Sequence, residues 1–213
     1  ILQNSAKYGG GIANAGRASS QNDTVLRMTG GRVEENTATI DGGGVYNAEM
    51  PYFTRPTADK VQVQFLFEGG SIRQNSAGGL GGGVYNARGR TPANPNDRQT
   101  SVGRMAFIMS DAALLYDNTA GTGGDDAWND NGVMVLRRSY GPNSQGQPFA
   151  GWFTDYPDHR YTVGDTALAP DSSLLNRTGE ELSSLTGGFA EDSAVEPYGL
   201  KAVWDATVPP GPV

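Results

Sequence analysis

Gly42-Gly43-Gly44-Val45-Tyr46-Asn47 returns almost letter for letter as Gly81-Gly82-Gly83-Val84-Tyr85-Asn86. An earlier version reads Gly9-Gly10-Gly11-Ile12-Ala13-Asn14, and a later one Gly123-Gly124-Asp125-Asp126-Ala127-Trp128-Asn129. Each follows a second marker: Asn4-Ser5-Ala6, Asn36-Thr37-Ala38, Asn75-Ser76-Ala77 and Asn118-Thr119-Ala120. The opening Asn of the marker precedes the closing Asn of the glycine motif by 11 residues in three copies and by 10 in the first. Two markers held in phase over four copies define an internal repeat, the signature of stacked architectures.

The residues before each marker supply the strands. Val61-Gln62-Val63-Gln64-Phe65-Leu66-Phe67 alternates apolar and polar with period 2, which predicts a strand with Val61, Val63, Phe65 and Phe67 inward. Gly69-Gly70 then predicts a corner, Ser71 to Gln74 a second short strand with Ile72 inward, and Val84-Tyr85 a third. An Asn at each corner suits a sharp turn, because Asn tolerates left-handed backbone angles better than most residues. Leu26, Met28, Val33 and Val45 fill the same inward slots one copy earlier, and Phe107, Met109, Leu115 and Ala127 one copy later, where Asp111-Ala112-Ala113 reads as a bulge. Ile1 falls opposite Val33. Three short strands per unit, stacked in register, predict a solenoid with coils about 4.8 Å apart. Asn36, Asn75 and Asn118 would form a ladder of side-chain amides, with Ala38, Ala77 and Ala120 packed beneath it; stability alone is enough to account for these residues.

Composition narrows the functional classes. The 213 residues suffice for a domain-sized core. With no cysteine, thiolate catalysis and zinc cages are excluded. A net charge of −7 would repel nucleic acid and anionic membrane surfaces. No apolar run reaches the roughly 18 residues that a membrane-spanning helix needs. The 31 glycines cluster in the repeats and read as turn chemistry. The chain opens inside a repeat and closes on Pro209-Pro210-Gly211-Pro212, so the expectation is an excerpt of a longer protein whose linker begins at 207–213.

The spacing between markers grows from 32 to 39 to 43 residues, and the added length sits at 48–60 and 87–103. Insertions in a solenoid emerge on one side, often the binding side. The first carries Tyr52, Phe53 and Arg55 between prolines, and the second carries Arg90. Aromatics with Arg are the composition of interaction hot spots, although loops that merely cover a strand edge would serve as well. If Val45 and Val84 face the core, alternation points Tyr46, Tyr85 and Trp128 outward as a stacked strip. Such a strip would stack on sugar rings or anchor a host protein; alternatively the insertions fold over it and bury it.

Residues 131–206 lose the repeat and read as a β-rich cap on the open strand edge of coils 1–130. Strand candidates there are Val133 to Leu136, Gly151 to Pro157 and Tyr198 to Trp204, with at most one helical turn at Glu180 to Leu185.

Gly69-Gly70-Ser71-Ile72-Arg73-Gln74-Asn75-Ser76-Ala77 followed by Gly81 to Asn86, and the matching stretch Gly30 to Asn47, resembles the repeat of bacterial surface and autotransporter-type proteins, relatives of the polymorphic outer membrane proteins and of pectin-lyase-like folds. Gly151 to Tyr156 and Tyr198 to Ala202 are similar to the ends of such regions in surface proteins of Gram-positive gut bacteria. The resemblance implies an all-β, right-handed parallel β-helix in an extracellular protein of the bacterial cell surface, displaying or spacing surfaces that bind a host glycan or host protein.

The same fold also hosts polysaccharide lyases and hydrolases, so chemistry has to be argued from the site. Such enzymes need carboxylates converging from adjacent coils. Asp125, Asp126 and Asp130, near Asp117, are the candidates, yet the preceding coil offers Gly82 and Gly83 at the equivalent positions. A weak Ca²⁺ site at Asp125, Asp126 and Asp130 is the alternative, with a spacing that matches no EF-hand or nonapeptide Ca²⁺ repeat. His159, the single histidine, lies beside Asp158 and Arg160 and has no nucleophile or metal-ligand motif with it. The expectation is a non-catalytic adhesin or ligand-binding module without cofactor or metal, with a stalk as the alternative and a polysaccharide-degrading enzyme as the third reading.

Overall fold

The structure, a computed structural model, describes residues 1–16, 24–49, 62–87, 104–130, 133–136, 142–155, 161–163, 166–168 and 198–204. Among these residues the chain is all strand and turn, with no helix, and its strands are gathered mainly into three parallel sheets.

The smallest sheet is made by the Asn-Ser/Thr-Ala markers: β1 (Ser5–Ala6), β4 (Thr37–Ala38), β7 (Ser76–Ala77) and β11 (Thr119–Ala120), paired in chain order. The second contains β3 (Thr24–Glu34), β6 (Gln62–Arg73), β9 (Arg104–Met109), β10 (Ala113–Tyr116) and β13 (Val133–Val135). The third stacks β2 (Ile12–Gly16), β5 (Val45–Glu49), β8 (Val84–Ala87) and β12 (Ala127–Asp130), all parallel, and is then continued by two antiparallel strands. Of these, β17 (Tyr198–Trp204) lies on β12, and β14 (Phe149–Thr154) lies on β17. A separate antiparallel pair joins β15 (Tyr161–Val163) to β16 (Thr166–Leu168).

Register bears out the repeat alignment residue by residue. Leu26, Phe65 and Phe107 are partners across β3, β6 and β9, as are Met28, Phe67 and Met109. Val33, Ile72 and Leu115 form the next row, and Val45, Val84 and Ala127 the last. These rows meet in one core in which Phe65, Phe67, Phe107, Ile72, Val45 and Val84 are fully buried. Phe65 and Phe107 stack with ring centroids 5.1 Å apart, as parallel in-register pairing of identical residues requires. Leu2 bridges Glu34, which sets Ile1 opposite Val33 as expected.

Three details differ from the expectation. Val63 to Phe67 and Ser71 to Arg73 belong to one strand, because β6 runs through Gly69-Gly70 and bends there, with Gly70 at φ 93°. At Asp111-Ala112 the pairing breaks instead of bulging, so the third copy has two strands, β9 and β10, where the second has one. The left-handed residue at the corner is not the marker Asn but the residue before it: Gln3, Glu35, Gln74 and Asp117 all sit at φ 54–55°. Those four side chains point to solvent, while Asn36, Asn75 and Asn118 are buried. The turn places Asn inward, where its side chain does other work.

Candidate functional site

Three groups of residues come into question: the Tyr/Trp row, the strand ends that carry the insertions, and the aspartates of the fourth copy.

Tyr46, Tyr85 and Trp128 are register partners on β5, β8 and β12, and Ala13 holds the same place on β2. The rings of Tyr46 and Tyr85 stack at 5.1 Å with 5° between their planes. Tyr8, from the corner before β2, closes the other face of Tyr46 at 5.2 Å and 51°. The row thus exists, but the expectation of an exposed strip is overturned: Tyr46 is 8% exposed and Trp128 3%, and Tyr85 is half-buried. The rings stand apart from the main core cluster, as alternation requires. The faces of Tyr46 are nonetheless covered by Tyr8 and Tyr85, and Trp128 lies in register between Tyr85 and Gly199 of β17. Burial, aided by Asp41 and Tyr8, pushes the Tyr46 hydroxyl well above its ordinary pKa. Asp41 accepts the Leu80 N–H at 2.8 Å, and burial outweighs that bond in raising its carboxyl.

Tyr52, Phe53, Arg55 and Arg90 lie outside the described residues, as do His159 and Tyr156; Trp152 of the cap is fully buried. The anchoring of the insertions is described. Ala48 pairs with Ala87, so the chain enters both insertions from neighbouring rungs of one sheet. Gln62 pairs with Arg104, so it returns from both to neighbouring rungs of another.

The aspartates are bound into the backbone. Asp126 is fully buried; its Oδ1 accepts the Asn118 N–H and Nδ2 at 3.2 and 2.8 Å, and its Oδ2 accepts the Ala202 N–H at 2.7 Å. Asp125 Oδ1 accepts the Ala120 N–H at 2.8 Å. Asp155 accepts the Gly124 N–H at 2.7 Å on Oδ1 and the Asp125 N–H on Oδ2. Asp130 is buried, and Asp117 accepts the Ser144 hydroxyl at 3.1 Å. Burial raises Asp126 to about 7, against the N–H donors of Ala202 and Asn118. It raises Asp155 to about 6, against the donors of Asp125 and Gly124. Among the described residues no three His, Cys, Asp or Glu side chains converge in a way that would hold a metal ion. A carboxyl whose two oxygens both accept backbone N–H groups has little freedom to act as a general acid or to ligate calcium.

Two networks went unread in the sequence. A second amide row runs Asn14 to Asn47 to Asn86 to Asn129, each Nδ2 donating to the next Oδ1 at 2.7, 2.7 and 2.6 Å. Its recurrence with the glycine motif was the available signal. The other is the buried Glu34 carboxylate, 2.6 Å from Arg73, whose Nη1 donates to Tyr116 Oη at 3.1 Å. These residues are partners by stacking across copies, and nothing in their local sequence marks them.

Among the described residues the fold is therefore all-β, built on parallel sheets with in-register repeats. No family model matches the chain, and comparison with curated proteins and with solved structures yields no match.

Proposed function

We propose that the chain is a right-handed parallel β-helix serving as a non-catalytic display module of an extracellular bacterial surface protein, with its insertions as the binding elements for a host glycan or host protein. The parallel pairing of like residues over four copies supports the helical reading, since successive copies rise by one strand spacing each. The observation that carries the display role is the pairing of Ala48 with Ala87 and of Gln62 with Arg104. The strand ends that flank the segment bearing Tyr52, Phe53 and Arg55 thus pair with those that flank the segment bearing Arg90. Core packing demands neither the added length nor those residue types, and interaction surfaces draw most of their energy from aromatics and Arg.

The test is a screen of the purified chain against glycan and host-protein panels, followed by Phe53→Ala with Arg55→Ala and Arg90→Ala. The expected loss is about 2 kcal/mol or more with folding intact. Unchanged affinity in a folded triple variant would move binding away from the insertions. A second reading, a spacer with no ligand of its own, is favoured by the burial of Tyr46 and Trp128, which withdraws the strip that would stack on a sugar. It predicts a silent screen.

A further inference from the structure

The two ends of the stack are finished differently. At one end the cap closes the core: Phe149, Trp152 and Leu200 are buried in the same cluster as Phe107, Leu115 and Ala127, and β17 covers the edge of β12. At the other end the inward rows stop short of burial. Ile1, which continues the row of Val33, Ile72 and Leu115, is 55% exposed, whereas those three are at most 2% exposed. Leu26, which continues the row of Phe65 and Phe107, is only half-buried. Among the described residues β1 pairs only with β4 and β3 only with β6, so each leaves a strand edge unpaired. Proteins blunt such edges with charge, yet both arginines of β3 are engaged by the protein's own carboxylates, Arg27 by Glu68 at 2.9 Å and Arg32 by Glu34 at 3.5 Å.

The polar groups at this end define what it lacks. Thr37, Ser76 and Thr119 donate their N–H groups to the carbonyls of Asn4, Asn36 and Asn75, the marker asparagines one copy earlier. Thr39, Gly78 and Gly121 donate in the same way to Ala6, Ala38 and Ala77. By that register Ser5 and Lys7, both exposed, aim their N–H groups at a copy that the described residues do not contain. The marker row makes the same demand. The Oδ1 atoms of Asn36, Asn75 and Asn118 each take the N–H and the Nδ2 of the marker Asn before them. Asn4 is exposed, and among the described residues it acts only as a donor, with nothing reaching its Oδ1.

We propose that this end is a docking face for one further copy of the repeat, a strand-forming segment with its own Asn-Ser/Thr-Ala marker laid parallel on β1 and β3. Its Asn brings two donors from one residue to Asn4 Oδ1, and its Asn and Ala carbonyls receive Ser5 and Lys7. Backbone pairing along an open edge holds the segment, and the side chains that fit the row select it. A second copy of this chain does not meet the demand. Its four marker asparagines already have both donors engaged, the last on Asp126. Two identical open edges related by a two-fold axis would also meet antiparallel, out of line with the marker row. The inference rests on the strand register and not on the display role, so its failure would leave that role untouched.

The test appends residues 33–71 ahead of Ile1, so that the added Ser71 runs into Ile1 as Ser71 runs into Ile72 in the second copy. Tethering keeps the added copy at high effective concentration, and its Phe65 and Phe67 fall on Leu26 and Met28. Amide hydrogen exchange at Ser5 and Lys7 reads docking, with Ser76 and Gly78 as references deeper in the stack. Protection should rise about ten-fold or more at Ser5 and Lys7, with the references unchanged. The same extension carrying Asn36→Asp in the added copy sets an acceptor against Asn4 Oδ1 and should lose most of the gain. Unchanged protection at Ser5 and Lys7, or a full gain kept with the aspartate, would overturn the proposal. Sedimentation of the unextended chain is the second arm. A monomer, or a dimer that leaves Ser5 and Lys7 unprotected, is expected; a dimer that protects them would assign the face to a second copy and sink the proposal.

Discussion

Asn118 places two donors, its backbone N–H and its Nδ2, on a single oxygen of Asp126, at 3.2 and 2.8 Å. Asn75 does the same to Asn118 at 3.0 and 2.9 Å, Asn36 to Asn75 at 3.0 and 2.9 Å, and Asn4 to Asn36 at 3.0 and 2.9 Å. The row has a direction, each amide giving to the one that follows. Its last member has only to accept, so a carboxylate can replace the amide there. The second oxygen of that carboxylate meets the Ala202 N–H, where the NH₂ of an asparagine would set donor against donor. Asp126 is the end-stop of a structural row, a role its acidity in sequence conceals.

From the middle of that row, Asn75→Ala should lose about 3 to 5 kcal/mol in urea unfolding, because it strands buried donors on Asn36, removes the donor to the Val33 carbonyl and leaves Asn118 Oδ1 with only the backbone N–H of residue 75. At the exposed end, Asn4→Ala should lose less than about 1 kcal/mol. Equal losses at the two positions would show that the row does not act through buried hydrogen bonds.

Gly43 and Gly30 should respond in opposite ways to Ala. A Cβ on Gly43 would fall against the Gly82 carbonyl oxygen and within 2.5 Å of the Ser76 carbonyl, backbone that cannot move without separating copies. The loss should be about 3 kcal/mol or more, or a failure to fold. Around Gly30 a Cβ meets nothing within 4 Å, and Gly30→Ala should stay within about 0.5 kcal/mol of the parent in thermal melts.

The left-handed corner at Gln74, φ 55° and exposed, gives a test free of packing effects. Gln74→Val should cost about 1 to 2 kcal/mol, since a β-branched side chain clashes there, whereas Gln74→Gly should fall within about 1 kcal/mol of the parent. If valine were tolerated as well as glycine, the backbone angle would not be what the corner requires.

Phe67 lies fully buried between Met28 and Met109 in register. Phe67→Ala should lose roughly 3 to 5 kcal/mol in denaturant unfolding. A loss under about 1 kcal/mol would require the row alignment to be redrawn.

Incubation with acidic and neutral polysaccharides, with and without Ca²⁺, should release neither reducing ends nor unsaturated products, because Asp125 and Asp126 are held by N–H groups of the backbone and Asn118. Sustained release that Asp125→Ala abolishes would restore the enzymatic reading.

What the sequence determined by itself was the stacking. A repeat in phase sets Leu26 against Phe65 and Phe107, and Asn36 against Asn75 and Asn118, because in parallel in-register sheets like residues must lie over like. It also marked 48–60 and 87–103 as additions to a common plan, and the strands on either side of them pair as that plan requires. Tertiary structure alone decided three matters. Placing the left-handed turn at Gln74 leaves Asn75 facing inward, a choice settled by the hydrogen bonds waiting on the neighbouring copies. Stacking of Tyr8, Tyr46 and Tyr85 removes ring faces from water that alternation alone would have left exposed. The roles of Asp126 and Asp155 depend on Ala202, Gly124 and Asp125, partners distant in the chain or brought into play only when the repeat runs out. Periodicity tells each residue which copy of itself it will meet. It says nothing of what meets the last copy, because an orphaned backbone N–H accepts any well-placed oxygen, and only the folded chain brings one there.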